Sequence, residues 1–196
     1  SGDWSSDVCS CDLTDTERIA RAKAGDERAF RELVERYESR VAATVVGMLG
    51  AGAEAEDVGQ EVFIRFYEAL DSFRGDSAVG TYLTRIAINL SLNAIERRKR
   101  MRLRFWSRDE EPNAPEEVGV DGREERAGQE RRQEVHAALQ QLSPEFRAVV
   151  VLRMLEGYST KETAVMLDLA EGTVLSRLSR GMKKLQEILK SEVDEV

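Results

Sequence analysis

Apolar residues recur along this chain at the three- and four-residue steps of amphipathic helices, in two stretches separated by a polar gap. In the first stretch, Phe30, Leu33, Val34, Tyr37 and Val41 form one stripe. Ahead of it, Thr14 and Glu17 have capping-box spacing, and Gly25 and Asp26 separate a short first helix from the long one. The apolar end of the long helix, VAATVVGMLG, runs into the glycine-rich break GAGAE. A third helix is expected from about Glu54 to Leu70, DSFRGDS follows as a polar turn, and a fourth runs from about Ser77 past Arg100. Four or five helices with short connections predict a bundle of about 90 residues.

Periodicity returns at Val135, Leu139 and Leu142. Ser143 then stands as an N-cap, with Pro144 at the first helical position. PEFRAVVVLRMLE is apolar enough to be buried on most sides, and Gly157 ends it. Ser159 and Glu162 repeat the capping-box spacing. STKETAVML leads through DLAEG to EGTVLSRLSRGMKKL, a short helix, a tight turn and a second helix. That order is the helix-turn-helix pattern. Val174, Leu178 and Leu185 would pack inward, leaving Thr173, Ser176, Arg177 and Arg180 on one side. Helical hairpins that bind no DNA share this pattern, so the pattern alone does not decide between the two.

Charge sharpens the picture. The formal net charge is −8, yet Arg97 to Arg108 holds seven basic residues and no acid. Asp109 to Glu130 then holds nine acids against Arg123 and Arg126. The last helix is basic again through Arg177, Arg180, Lys183, Lys184 and Lys190. Clustered Arg and Lys are the electrostatic footprint of a polyanion partner. Residues 107–130, with two prolines, three glycines and the acid run, read as a flexible, self-repelling linker. The expected fold is therefore all-α, with two small helical domains joined by an acidic linker.

Several function classes lose support. No apolar run approaches the roughly 20 residues of a membrane span. No basic-then-apolar leader precedes the periodic sequence, so the expected location is the cytoplasm. Cys9 and Cys11 sit together and the one histidine, His136, is far off, so neither a disulfide framework nor the about four ligands of a zinc site are expected. Residues 1–13 read as a disordered or non-native leader. With no HExxH, P-loop, nucleophile elbow or Cys/His pair, neither an enzyme nor a cofactor is expected.

Residues 55–100, AEDVGQEVFIRFYEALDSFRGDSAVGTYLTRIAINLSLNAIERRKR, strongly resemble region 2 of bacterial RNA polymerase sigma factors, most closely the extracytoplasmic-function (ECF) class. LQQLSPEFRAVVVLRMLEGYSTKETAVMLDLAEGTVLSRLSRGMKKLQEIL resembles region 4 of the same class. Two motifs in order are more specific than either, and together they cover roughly residues 14–190.

The resemblance implies a factor that binds core RNA polymerase, recognises the −35 and −10 promoter elements, melts the −10 region and starts transcription. It implies core docking through Asp57, Gln60, Glu61 and Ile64, whose carboxylates beside an apolar contact suit an Arg-rich partner. It places Phe73, Arg74 and Asp76 in a loop that captures a flipped −10 base, with Phe73 either stacking or anchoring the core. Tyr82, Arg85, Asn89 and Asn93 follow on one helix face, where aromatic, guanidinium and amide groups suit unstacked bases. Tyr82 stands where the family usually has Trp, and Asn93 where it often has Asp. Arg97 and Arg98 open a run that would hold duplex phosphates upstream. Thr173, Ser176, Arg177, Arg180 and Lys183 would meet the −35 element, with Leu175 where many relatives are basic. Ser159, Thr160 and Lys161 would donate to phosphate.

The domains implied are 14–106 for region 2, 107–130 for the linker and 131–192 for region 4. An anti-sigma protein is an implied partner, with no small-molecule substrate and no direct membrane insertion. The acidic linker suggests that the free chain binds promoter DNA weakly until core polymerase separates the domains. A helix-turn-helix regulator that never docks on polymerase is the first rival. A helical interaction protein without nucleic acid is the second.

Overall fold

The computed structural model describes residues 14–75, 77–105 and 133–194. The expected leader, the linker 107–130 and Asp76 lie outside the described residues. Among the described residues every regular element is a helix. Helices α1 (Asp15–Lys23), α2 (Glu27–Leu49), α3 (Ala53–Glu68) and α4 (Val79–Phe105) form the first bundle. Residues 133–141 (α5), α6 (Pro144–Val150) continued by a π-helical turn (Val151–Leu155), α7 (Thr160–Leu167) and α8 (Glu171–Asp194) form the second.

The helix starts follow the sequence chemistry. Both expected capping boxes form, at Thr14 with Glu17 and at Ser159 with Glu162. Asp26 accepts from the amides of Arg28 and Ala29 and starts α2. Ser143 precedes Pro144 as expected, but its side chain makes no cap hydrogen bond.

In the first bundle α2 packs against α1, α3 and α4, and the inward stripes of α2, α3 and α4 meet at Phe66. Phe66 is fully buried, with its ring 6.0 Å from Phe30 and Tyr82 and 5.9 Å from Phe73. The apolar spacing continues past the end of α3, since Leu70 and Phe73 are buried although they lie in turns bonded back by one residue triplet each. This explains why α3 is shorter than the apolar pattern suggested.

In the second bundle α6 and α7 both pack on α8. A Cβ on Gly181 would lie 2.9 Å from the Val150 side chain, so the absent side chain is what lets α8 reach α6. Asp168 turns the chain between α7 and α8 in the left-handed region, at φ 52° and ψ 53°. Short polar side chains tolerate that conformation.

PEFRAVVVLRMLE does not form one buried helix. It changes to π-helical bonding after Val150, where the Glu156 amide reaches back to the Val151 carbonyl. The wider turn puts Met154 and Leu155 about half into solvent, at 56% and 49%.

The two bundles are also docked on each other. Ala148, Val151, Leu152, Tyr158 and Met166 belong to the same buried cluster as the apolar faces of α2 and α4. At the seam Arg147 is buried and donates to the Met48 carbonyl at the end of α2, and to the Leu142 carbonyl (2.9 Å) and Gln140 Oε1 (2.6 Å) beside α5. Gln140 Nε2 in turn reaches the Gly47 carbonyl at 3.3 Å. Helix C-termini leave carbonyls without partners inside the helix, and a cation there also meets the negative end of the helix dipole. Burial, with Arg98 nearby, lowers the Arg147 guanidinium to about 10, still charged at neutral pH.

Replacing Phe66 by Ala should cost about 3–5 kcal/mol, read as a fall in the urea midpoint of the full chain. A loss below about 1 kcal/mol would contradict its place at the meeting point of four aromatic rings.

Candidate nucleic-acid interface

Helix α8 divides cleanly into two sides. Val174 and Leu185 are buried and Leu178 half-buried against α6 and α7. Ser176, Arg180 and Lys183 are exposed on the other side, with Thr173 and Arg177 half-buried at its edge. Neither Arg177 nor Arg180 has an ion pair among the described residues. Such an arrangement can offer forked N–H donors to base edges in a major groove. Ser176 Oγ donates to the Thr173 carbonyl at 3.0 Å, and Lys183 lies 4.0 Å from Glu187. Lys184 is drawn over the Phe146 ring at 5.2 Å, which puts its charge to work in packing. Leu175 is 54% exposed amid these polar groups, where only an apolar contact can use it.

At the start of α7, Lys161 is exposed and Thr160 half-buried. Ser159 is engaged with Glu162 in both directions, its hydroxyl accepting at 3.2 Å and its amide donating at 2.8 Å. The Ser159 side-chain and backbone hydrogen bonds hold the Glu162 carboxyl below its usual range.

A second polar line runs along α4. Arg85, Asn89 and Asn93 are exposed at helical steps from half-buried Tyr82. Tyr82 packs edge-on against Phe73 at 5.0 Å, so one side of its ring is committed to the core. Phe73 itself is buried between Phe66 and Tyr82, the position of a core anchor. Arg74 beside it is exposed. Lys23 holds this loop to α1, donating to the carbonyls of Phe73 at 2.6 Å and Asp71 at 3.3 Å. The sequence pattern gave no sign of that tether, because a lysine in a last turn has no local signature.

The basic end of α4 is not uniform. Arg97 and Arg98 both pair with Glu54 at the start of α3, Arg97 at 3.5 Å. Each contacts Glu54 through one terminal nitrogen and keeps other N–H donors exposed for a phosphate. Lys99, Arg100, Arg102 and Arg104 are exposed, with Met101 and Leu103 exposed between them.

On α3, Val58, Val62 and Phe66 are buried, while Asp57 and Gln60 are exposed on the outer face. Glu61 is half-buried and pairs with Arg65 at 2.6 Å. Ile64 is 51% exposed and Tyr67, one step further on the same face, is 58% exposed. The Tyr67 ring sits edge-on to Phe30 at 4.9 Å, which fixes its direction. Sequence reasoning passed over Tyr67, although its spacing of three from Ile64 places it on that face. Acids around two held apolar groups make a surface suited to a basic, partly apolar protein partner. No group of residues suited to hold a metal occurs among the described residues, and no helix there is long and apolar enough to cross a membrane.

Comparisons with known proteins fit this geometry. The Sigma-70 region 2 family model matches residues 33–101, and the model of Sigma-70, region 4 matches residues 132–185. The ECF RNA polymerase sigma-E factor of Escherichia coli strain K12 is 36% identical over 181 residues, spanning 88% of this chain and 93% of that protein. The RNA polymerase sigma-H factor of Pseudomonas aeruginosa is 35% identical over 185 residues, spanning 89% and 93%. CnrH, solved with the cytosolic domain of CnrY, is 27% identical with a TM-score of 0.62 over 90% of this chain and 97% of that one. The sigma factor RpoE of Bartonella quintana, solved with the anti-sigma factor NepR, shares the fold at 24% identity and a TM-score of 0.66, over 82% and 96%.

Two substitutions separate base reading from charge. Arg180→Ala should weaken binding to a preferred duplex by about 1–3 kcal/mol and relax base preference at one position. Lys99→Ala should weaken all sequences alike and flatten the slope of log affinity against log salt by about 0.9. Equal effects of both on preferred and random duplexes would contradict the division.

Proposed function

The chain belongs to the ECF sigma factors of the sigma-70 family, and on that footing we propose how its own residues divide the work. It binds core RNA polymerase, carries it to promoters with a −35 and a −10 element, and opens the −10 region. The domains are 14–106 for region 2, 107–130 for the linker and 131–192 for region 4. Region 2 docks on the polymerase through Asp57, Gln60, Glu61 and Ile64, with Tyr67 as a further anchor. Arg74, Asp76, Tyr82, Arg85, Asn89 and Asn93 hold the −10 strand, while Phe73 supports Tyr82 from behind. Arg97, Arg98 and the basic residues after them follow the upstream backbone. Region 4 reads the −35 duplex with Thr173, Ser176, Arg177, Arg180 and Lys183, braced by Ser159, Thr160 and Lys161 at phosphates.

The chain breaks no bond itself. Its binding free energy places and melts DNA for the polymerase, and its place of work is the cytoplasm. RpoE and CnrH were each solved with a protein partner. An anti-sigma protein is the corresponding partner of this chain.

The observation that carries the reading is that two polar lines, exposed Arg85–Asn89–Asn93 on α4 and exposed Ser176, Arg180 and Lys183 on α8, sit on one chain with the acidic-apolar face of α3. A helix-turn-helix regulator has no use for the first line or for that face.

Run-off transcription with bacterial core polymerase on a promoter library tests it. Initiation should depend on this chain and on one shared −35/−10 pair. Ile64→Glu should weaken core binding by about tenfold or more, about 1.4 kcal/mol, with region 4 binding to duplex DNA unchanged. No initiation together with no core binding would overturn the reading.

A further inference from the structure

We propose that Leu175 selects a thymine in the duplex that α8 contacts, by seating its side chain against the 5-methyl group of that base. The inference rests on reading α8 as a helix that enters a major groove, and it adds the base that one position of the helix prefers.

A lone exposed leucine is ordinary on a protein surface. The setting of Leu175 is not. It is the fifth residue of α8 and is 54% exposed. In a helix-turn-helix, the first residues of the second helix are those that meet base edges. Ser179 follows Leu175, and Arg180 follows Ser176, by one helical turn, and all four are exposed. They form one strip on the solvent side of the stripe that α8 buries through Val174, Gly181 and Leu185, with Leu175 at its edge.

Side chains on a helix lean toward its N-terminus, so Leu175 covers the turn before it. That turn carries Gly172, three positions earlier, where a Cβ would meet nothing within 4 Å. The leucine methyls thus have open space ahead of them, and no side chain at position 172 holds a base away. Glu171, four positions before Leu175, is exposed. Its carboxylate repels a phosphate from this flank and leaves a base edge as the surface for Leu175 to meet.

The chemistry of the groove then selects the base. A leucine side chain offers neither donor nor acceptor. Against adenine or guanine it covers the N7 acceptor, and against cytosine the N4 amino donor, with no hydrogen bond in return. A polar group covered and left unpaired costs more than an average hydrogen bond contributes. Thymine presents a methyl group at its major-groove edge, and covering it removes apolar surface from water on both partners. Leu175 therefore favours thymine by attraction and opposes the other three bases by desolvation.

Removing that methyl and nothing else is the test. The full chain, at one fixed low salt concentration, first selects its preferred duplex from a random pool, alone and with core polymerase bound. Each thymine of that duplex is then replaced by deoxyuridine, which keeps the O4 acceptor and lacks the methyl. One replacement should weaken binding by about three- to fivefold, the burial of one methyl group. Leu175→Ala should bind the thymine and uracil forms of that position equally. Leu175→Arg should exchange the preference there for guanine. At the same position, 5-methylcytosine should bind the native chain more tightly than cytosine does.

A selected duplex in which every uracil replacement is neutral overturns the proposal and leaves α8 a duplex reader. So does a uracil effect that persists in Leu175→Ala, or a preferred duplex without thymine. Loss of core polymerase affinity in Leu175→Ala, with no effect of the methyl, makes the leucine a protein contact and also overturns it. A chain that selects no duplex, alone or with core polymerase, overturns the reading of α8 and this proposal with it.

Discussion

The guanidinium of Arg147 closes the carbonyl ends of helices from both halves of this molecule. Among the described residues no carboxylate pairs with it, and its hydrogen bonds run to the α2 end, to Gln140 and to the segment after α5. A buried cation of this kind depends on hydrogen bonds to its donors. Its two terminal nitrogens join the end of α2 to α5 and the segment that leads into α6, while its Nε is buried with no hydrogen-bond partner among the described residues. Val151 and Leu152 then share a core with α2 and α4 rather than facing water.

That constraint leaves the outer surfaces free to work. Each helix that carries function buries one stripe and presents another. Helix α3 buries Val58, Val62 and Phe66 and shows Ile64 and Tyr67. Helix α4 buries Leu83, Ala87 and Ile88 and shows Arg85 and Asn89. Helix α8 buries Val174 and shows Arg180. The faces proposed for polymerase docking and for the two DNA contacts are thus helix faces whose positions are fixed by packing behind them.

Most of this was legible in the sequence, because local chemistry decided it. The capping boxes at Thr14 and Ser159, the start of α2 at Asp26 and the inward stripes of α3 and α8 depend on residues three or four apart. What escaped depends on distant pairs. Lys23 reaches a carbonyl 50 residues away, and Arg40 meets Glu156 across 116. The shift to π-bonding after Val150 left no mark in the apolar pattern, which read as one continuous helix. The outer face of α3 was read through its acids and Ile64, so Tyr67 was missed although its spacing put it there. Arg97 and Arg98 looked like free cations because Glu54, their shared partner, lies more than 40 positions earlier.

The central claim is that one chain carries a polymerase-docking face on α3 and two DNA-reading faces on α4 and α8. The most direct measurement is run-off transcription with bacterial core polymerase on a promoter library, with and without the chain. The account predicts initiation that depends on the chain and on one shared pair of promoter elements, and that Ile64→Glu abolishes by loss of core binding. Initiation that is indifferent to the chain, or core binding untouched by Ile64→Glu, would contradict it.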